Sequence, residues 1–254
     1  MGLMIAVVTV YGMMTYNRNR VWQTELRLWS DAVAKSPGKA RPLLNRGLAL
    51  KDKGELEAAL ADLNRAVALR PDWARVYEGR ALVYMAMNRH EKALTDFAEA
   101  LRHNPDAART RNNRGTLYEK MGRLTRALND YDAALAEKPD YADALFNRGN
   151  VYMQLNKLRE ALVDYTHALK LRPDRADIWL NRGAALLQSG HIEEAKANLT
   201  EAIKRNPALP GAYLNRALAN HVTGHAEEAR KDAARFVQLG GEADLIDGLL
   251  QTEE

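Results

Sequence analysis

The 254-residue chain contains no cysteine, which removes disulfides, thiolate metal sites and a cysteine nucleophile together. It has only three phenylalanines beside 46% apolar and 28% charged residues, a composition that suits a helical array better than one large globular core. Glycine-rich phosphate loops are absent, and the carboxylates are spread along the chain rather than gathered into a pair. His221 and His225 stand four apart, but Gly224 sits where a helix should end and no third ligand follows. Neither catalysis nor a cofactor nor a metal is therefore expected. The net charge of +4 is small for this length, and Lys and Arg alternate with Asp and Glu, so nucleic acid is not an expected partner. Finally, no apolar run reaches the roughly 20 residues that span a bilayer as a helix. The nearest is Gly2 to Met14, apolar except for Thr9.

What is present is a period. Pro37, Pro71, Pro105, Pro139, Pro173 and Pro207 stand 34 residues apart, the mark of a helical solenoid. On that period Ala59, Ala93, Ala127, Ala161, Ala195 and Ala229 coincide, as do Ala66, Ala100, Ala134, Ala168 and Ala202. A third column is small: Gly47, Ala81, Gly115, Gly149, Gly183 and Ala217. Small residues let two helices approach closely, and larger ones such as Leu50, Tyr84, Tyr118 and Tyr152 fill the remaining space.

Each period reads as two helices, because apolar residues recur at three- and four-residue intervals, as in Leu158, Ala161, Leu162, Tyr165, Ala168 and Leu169. The break between them holds Gly54, Asn88, Gly122, Asn156, Gly190 or Gly224, types that enter the left-handed conformation at little steric cost. The second break falls at Pro-Asp, where proline ends one helix and the aspartate is expected to cap the next. Pro207-Ala208 lacks that aspartate, so the sixth repeat is expected to start less firmly.

These columns resemble the tetratricopeptide repeat (TPR) family over about residues 40–241. The resemblance implies an all-α, right-handed α-solenoid of about six 34-residue helix-turn-helix repeats, with a half repeat before them and a capping helix after. The organisation read from the sequence is residues 1–17, an apolar segment; 18–39, a half repeat; 40–241, six repeats; and 242–254, a capping helix and tail. Leu245, Ile246, Leu249 and Leu250 are expected to cover the last repeat.

The apolar segment has three open readings: the end of a transmembrane helix, a short membrane anchor, or a helix packed on the solenoid. Trp22, Leu26, Trp29 and Val33 share one helical face ahead of Pro37, as the second helix of an incomplete repeat would. The stretch from Asn19 to Asn45 resembles the membrane-to-TPR junction of polytopic glycosyltransferase C proteins. That resemblance implies a membrane-associated chain with its repeats in the periplasm or lumen, whereas on the short-anchor reading Arg18 and Arg20 favour the cytoplasmic side, so the side of the membrane stays open.

Two polar columns are candidates for specific roles. Arg46, Arg80, Arg114, Arg148, Arg182 and Arg216 precede the small residue, and a guanidinium there needs an acceptor, since burying it unpaired costs several kcal/mol. Asp62, Asp96, Asp130, Asp164, Asn198 and Asp232 stand as far after the turn as the arginines stand before it. A ladder of structural ion pairs is expected, each aspartate facing either the arginine of its own hairpin or that of the next repeat, with Asn198 the weak rung.

The second column is Asn45, Asn113, Asn147, Asn181 and Asn215, interrupted by Gly79. Asparagine presents a donor and an acceptor, which suits an extended peptide backbone, although a solvated helix face or a local cap explains the same residues. The column resembles the asparagine ladder in the repeat arm of O-linked N-acetylglucosamine transferases, which implies a protein or peptide partner in the concave groove. Four positions earlier stand Arg41, Arg75 and Arg109, then Asp143 and Asp177, giving an expected basic-to-acidic gradient. Phe146, near Tyr141, offers an apolar contact or core packing. The lysines of the TPR carboxylate clamp are missing, their places taken by Leu44, Glu78, Asn112, Phe146, Leu180 and Leu214. Two functions remain open: a peptide-binding module, and a scaffold or oligomerisation arm of a membrane glycosyltransferase without peptide binding.

Overall fold

The computed structural model describes residues 24–246. The apolar run, Arg18, Arg20, Trp22, Leu249 and Leu250 lie outside the described residues. Among the described residues are thirteen α-helices, one 3-10 turn and no strand, and no helix is long and apolar enough to cross a membrane. The chain forms two compact units that divide between Leu117 and Tyr118.

The first unit holds α1 (Glu25–Lys35), α2 (Ala40–Asp52), α3 (Leu56–Leu69), α4 (Ala74–Ala86), α5 (His90–His103) and most of α6 (Ala108–Lys120). The second holds the end of α6, then α7 (Leu124–Glu137), α8 (Ala142–Gln154), α9 (Leu158–Leu171), α10 (Ala176–Gln188), α11 (Ile192–Arg205), α12 (Pro210–Val222) and α13 (Ala226–Gln238). Each 34-residue period is thus a first helix, such as α2, and a second that folds back on it, such as α3.

The fold-back brings residue i of the first helix against residue i+16 of the second. An added Cβ on Gly47 would lie 2.9 Å from Leu63 Cγ, and one on Gly149 would lie 2.7 Å from Tyr165 Cε1. The glycines are what allow these side chains to reach the opposite helix. Leu63, Phe97, Tyr131, Tyr165 and Leu199 form the fully buried column that results, with the alanines of the 59-to-229 column beside them. The hairpin turn is closed by backbone alone. Gly54, at φ +80°, lets the Glu55 N–H donate to Leu50 O at 2.9 Å, and Asn156, at φ +56°, does the same for Lys157 and Tyr152 O. These paired bonds satisfy carbonyls that a helix end otherwise leaves open.

The second break differs from the sequence expectation. Arg70, before Pro71, takes φ −140° and ψ 74° and ends α3 with its N–H donating to Ala66 O. The turn then uses one residue more than a direct cap would allow. Trp73, Tyr141 and Arg175 are the N-caps of α4, α8 and α10, none with a side-chain cap. The preceding aspartates stand one residue too early and turn elsewhere: Asp72 accepts from Arg70 at 2.9 and 3.1 Å, and Asp174 from Arg172 at 3.2 Å. The expectation of a weak sixth repeat falls with the missing cap, because no first helix from α4 onward with a described N-cap has one. α12 begins on Pro210, whose fixed φ favours a first helical turn. A side chain six residues after the repeat proline secures this turn instead. Tyr77 Oη, Trp179 Nε1 and Tyr213 Oη donate to the carbonyls of Pro71, Pro173 and Pro207 at 3.0, 3.0 and 3.3 Å.

Both ends of the described chain are covered. α1 starts on Thr24, whose hydroxyl accepts from the Arg27 N–H, and it buries Val33 against the core that Leu43, Leu44 and Leu63 form, with Leu26 alongside. After α13 the 3-10 turn Ala243–Ile246 places Ile246, fully buried, on Tyr213, Ala217 and Phe236. Leu245, expected to share that role, is 60% exposed, because a tight three-residue turn points adjacent side chains apart.

Candidate functional site

The arginine column forms a fork with its own hairpin. Arg46 Nε and Nη2 donate to the two Asp62 oxygens at 2.6 and 2.7 Å, Arg80 to Asp96 at 2.8 and 2.8 Å, Arg148 to Asp164 at 2.8 and 2.7 Å, and Arg216 to Asp232 at 2.8 and 2.7 Å. Side-by-side N–H···O bonds of this kind are the strong, geometrically specific form of ion pair. The carboxylates are buried, and their bonds raise the arginines above the ordinary value against the opposing effect of burial. Arg114, on α6 in the first unit, is half-buried, and Asp130, on α7 in the second, is buried.

Between the two partners left open by the sequence, the same-repeat aspartate takes the fork. A further contact had no signal in the spacing alone. The remaining nitrogen, Nη1, reaches back to the preceding hairpin: Arg80 donates to Asn64 Oδ1 at 3.0 Å, Arg148 to Asp132 Oδ1 at 2.6 Å and Arg216 to Thr200 Oγ1 at 3.0 Å. One side chain therefore closes its own hairpin and ties it to its neighbour. At Arg182 the arrangement is reduced to one bond, Nη1 to Asn198 Oδ1 at 3.2 Å, and Arg182 Nε is buried with no hydrogen-bond partner.

The first helices of neighbouring hairpins stand side by side, α2 with α4 in the first unit, and α8 with α10 and α10 with α12 in the second. Asn45, Asn113, Asn147, Asn181 and Asn215 lie at one equivalent position on them, all half-buried. Asn113 Nδ2 donates to Glu78 Oε1 at 3.3 Å, and Asn181 Nδ2 to Asn150 Oδ1 at 2.9 Å, which also accepts from Tyr165 Oη at 2.8 Å. Asn45 and Asn215 make no side-chain hydrogen bond among the described residues.

The charged positions beside this column differ from a simple sorted gradient. Arg41 and Arg75 are exposed, but Arg109 is committed to the buried Glu78, donating from Nε at 2.9 Å and Nη2 at 2.6 Å. Asp143 and Asp177 share one cation: Arg175 donates to Asp143 Oδ1 at 2.6 Å and to both Asp177 oxygens. Burial would raise the Asp177 carboxyl, but Arg175 prevails and holds it below the usual range. The acidic end is thus half neutralised, because the partner comes from the adjacent repeat. Arg175 also lies 4.8 Å over the Phe146 ring, whose other neighbour is Tyr165 at 6.0 Å. Phe146 is therefore partly covered from within. Nearby, burial raises the Glu119 carboxyl, which accepts from Tyr131 Oη at 3.1 Å and Gln154 Nε2 at 2.8 Å. Among the described residues no group of three His, Asp or Glu side chains could hold a metal ion.

The fold is that of a helical-hairpin repeat protein whose first helices carry amides and charges at recurring positions within each unit. Family models agree. One described as TPR repeat matches residues 47–88 and 149–190, and one described as tetratricopeptide repeat matches 78–142, 112–165 and 180–243, more than half the chain. The chain belongs to the tetratricopeptide repeat family, whose repeats are protein-interaction modules. Both models begin beyond Asn19–Asn45, so neither bears on the membrane-junction expectation for that stretch.

Among curated proteins no sequence matches. Of the solved structures, the APC/C hetero-tetramer Cut9-Hcn1 aligns with TM-score 0.78 and 18% identity over 89% of this chain and 46% of that one, so the chain spans about half its length. Pseudomonas aeruginosa pilF aligns with TM-score 0.76 and 18% identity over 84% of this chain and 97% of that one. YrrB, described as a TPR protein with an unusual peptide-binding site, aligns with TM-score 0.56 and 26% identity over 72% and 95%. The first two similarities speak to the fold alone.

Proposed function

We propose that this chain is an interaction module that holds an extended peptide or protein segment along the first-helix face of its repeats. The observation that carries the reading is the recurrence of half-buried asparagines at one position of neighbouring first helices, as on α8, α10 and α12. Each can offer an oxygen to a peptide N–H and an N–H to a peptide carbonyl, which grips a backbone whatever its side chains. The likeness to YrrB, at 26% sequence identity, supports it. The test is binding to a peptide array by the chain and by a variant with Asn147, Asn181 and Asn215 changed to Ala. Losing three hydrogen bonds of about 1 kcal/mol each should weaken binding at least ten-fold. Undiminished binding by a folded variant would remove the asparagines from the function.

A second reading, a scaffold arm that binds no peptide, is favoured by exposed apolar side chains of the second unit. Val163 is 64% exposed there and Leu155 40%, and Val163 borders a cavity of about 940 Å3 with Leu158, Leu162 and His167. On that reading the array stays blank.

We further propose that the module is the soluble tail of a membrane protein, attached through residues 1–17. The uncharged run Gly2–Met14 ahead of Arg18 and Arg20 supports this, as does the resemblance of Asn19–Asn45 to the glycosyltransferase junction. The full chain should float with lipid vesicles in a density gradient and the chain from Thr24 should not. Identical behaviour of the two would refute the attachment.

A further inference from the structure

We propose that the gap in the asparagine column at Gly79 is a side-chain pocket for an aliphatic residue of the bound segment, next to an acidic residue that Arg75 receives. The inference rests on the peptide-binding reading and names the chemistry of its ligand.

The pocket lies within the first unit, on α2, α4 and the start of α6. Its floor is apolar because Gly79 has no side chain. Leu44 lies directly against it, so that an added Cβ would meet Leu44 Cδ1 at 2.7 Å and Leu63 Cδ2 at 3.2 Å. An asparagine here would have to push Leu44 aside. Leu44 is itself 1% exposed, so the leucines that offer apolar surface to the adjoining cavity of about 140 Å3 are Leu48 and Leu82, both half-buried. Pockets for free small-molecule ligands run to about 300–1,000 Å3, so this one suits a single branched side chain on a longer ligand.

One wall is polar but already satisfied. Glu78 is 5% exposed and accepts two bonds from Arg109 and a third from Asn113. A carboxylate engaged by three donors has little attraction left for a cation from outside. Arg75 borders the same pocket one helical turn before Gly79, exposed and without a hydrogen bond or ion pair among the described residues. Arg41 stands at the equivalent position of the preceding repeat, also exposed. Among the described residues that line the pocket the charge without a partner is that of Arg75, so the residue beside the aliphatic anchor should be Asp or Glu. Burying the anchor is worth about ten- to hundred-fold in affinity. The exposed charge contributes a smaller factor, about five-fold at low salt, so it selects rather than binds.

The test is selection of phage-displayed random 12-residue peptides on the full chain, on Arg75→Glu and on Leu82→Asn, all three checked for helical content and melting. The expected consensus on the unaltered chain contains Leu, Ile or Val beside Asp or Glu. On Arg75→Glu the acidic preference should turn to Lys or Arg with the aliphatic residue kept. On Leu82→Asn the aliphatic preference should disappear. Leu82 is half-buried and lies outside the buried core cluster of the first hairpins, so this change should leave the fold intact. Peptides selected without the aliphatic-acidic pair, or a consensus that Arg75→Glu leaves unchanged, would overturn the pocket while peptide binding stands. No selected peptide on any of the three would overturn both.

Discussion

Changing Asp164 to alanine should lower the melting temperature by roughly 5–10 °C, more than any substitution of an exposed residue on the same helix. Asp164 is 2% exposed and takes two bonds from Arg148 at 2.7 and 2.8 Å. Removing it leaves a guanidinium that is 22% exposed with one remaining acceptor, Asp132. Breaking a fully buried pair typically costs about 3–5 kcal/mol. The residual exposure of Arg148 and its bond to Asp132 lower that to about 2–3 kcal/mol, which gives the stated shift for a chain of this size. Two controls bracket the result in thermal unfolding followed by circular dichroism. Asp132→Ala, at a half-exposed carboxylate, should cost no more than about 1 kcal/mol. Asn198→Ala removes a single long bond and should also be mild. Equal small losses in all three would mean that the forks do not hold the hairpins closed.

How much of this was legible depends on which interactions repeat with the period. The fork was, because Arg148 and Asp164 stand eight residues either side of Asn156, and a symmetric turn must bring them together. The apolar counterpart, Gly149 against Tyr165, keeps the 16-residue separation but stands seven residues before Asn156 and nine after, so a symmetric turn does not by itself pair them. The Nη1 contacts to Asn64, Asp132 and Thr200 were hidden because the three acceptors differ chemically although their position does not. The charge pattern failed for another reason. Arg175 reaches Asp143 and Arg109 reaches Glu78 across 32 and 31 residues, from one repeat to the next. Those meetings depend on how far each hairpin rotates against its neighbour, which a 34-residue period does not encode. The aspartate caps failed on a single residue of phase, since the turn after Pro71 runs through Asp72 before Trp73 starts the helix. Gly79 reads in the sequence as an interruption of a column, since the period does not encode that Leu44 packs against it or that Leu48 and Leu82 leave a cavity beside it.

Changing Asn198 to aspartate should raise the melting temperature by about 2–6 °C, and it tests the ladder in the opposite direction. Arg182 has the backbone position of Arg148 but a poorer partner: one bond of 3.2 Å to Asn198 Oδ1, and a buried Nε with no acceptor. Nδ2 of Asn198 is turned away to donate to Glu194 O at 2.8 Å. A carboxylate at position 198 can accept from Nε and Nη2 together, as Asp164 does, and satisfies the buried donor. Hydrogen bonds to charged groups contribute about 1.5–3 kcal/mol, and losing the bond to Glu194 O offsets about 1 kcal/mol of that, which leaves about 0.5–2 kcal/mol. The gain must also depend on pH with a definite sign. A carboxyl paired with arginine titrates lower in the folded chain than in the unfolded one, so its stabilisation is complete above its unfolded value of about 3.9. It is lost as pH falls through the folded value. The variant and the unaltered chain should therefore differ at pH 7 and converge in acid, and a difference that persists in acid would assign the gain to packing rather than to the ion pair. If Asn198→Asp gives no gain at pH 7 while Asp164→Ala gives a large loss, a carboxylate at the fork position is not sufficient, and the fork at Arg148 draws on the added bond to Asp132 that Arg182 lacks.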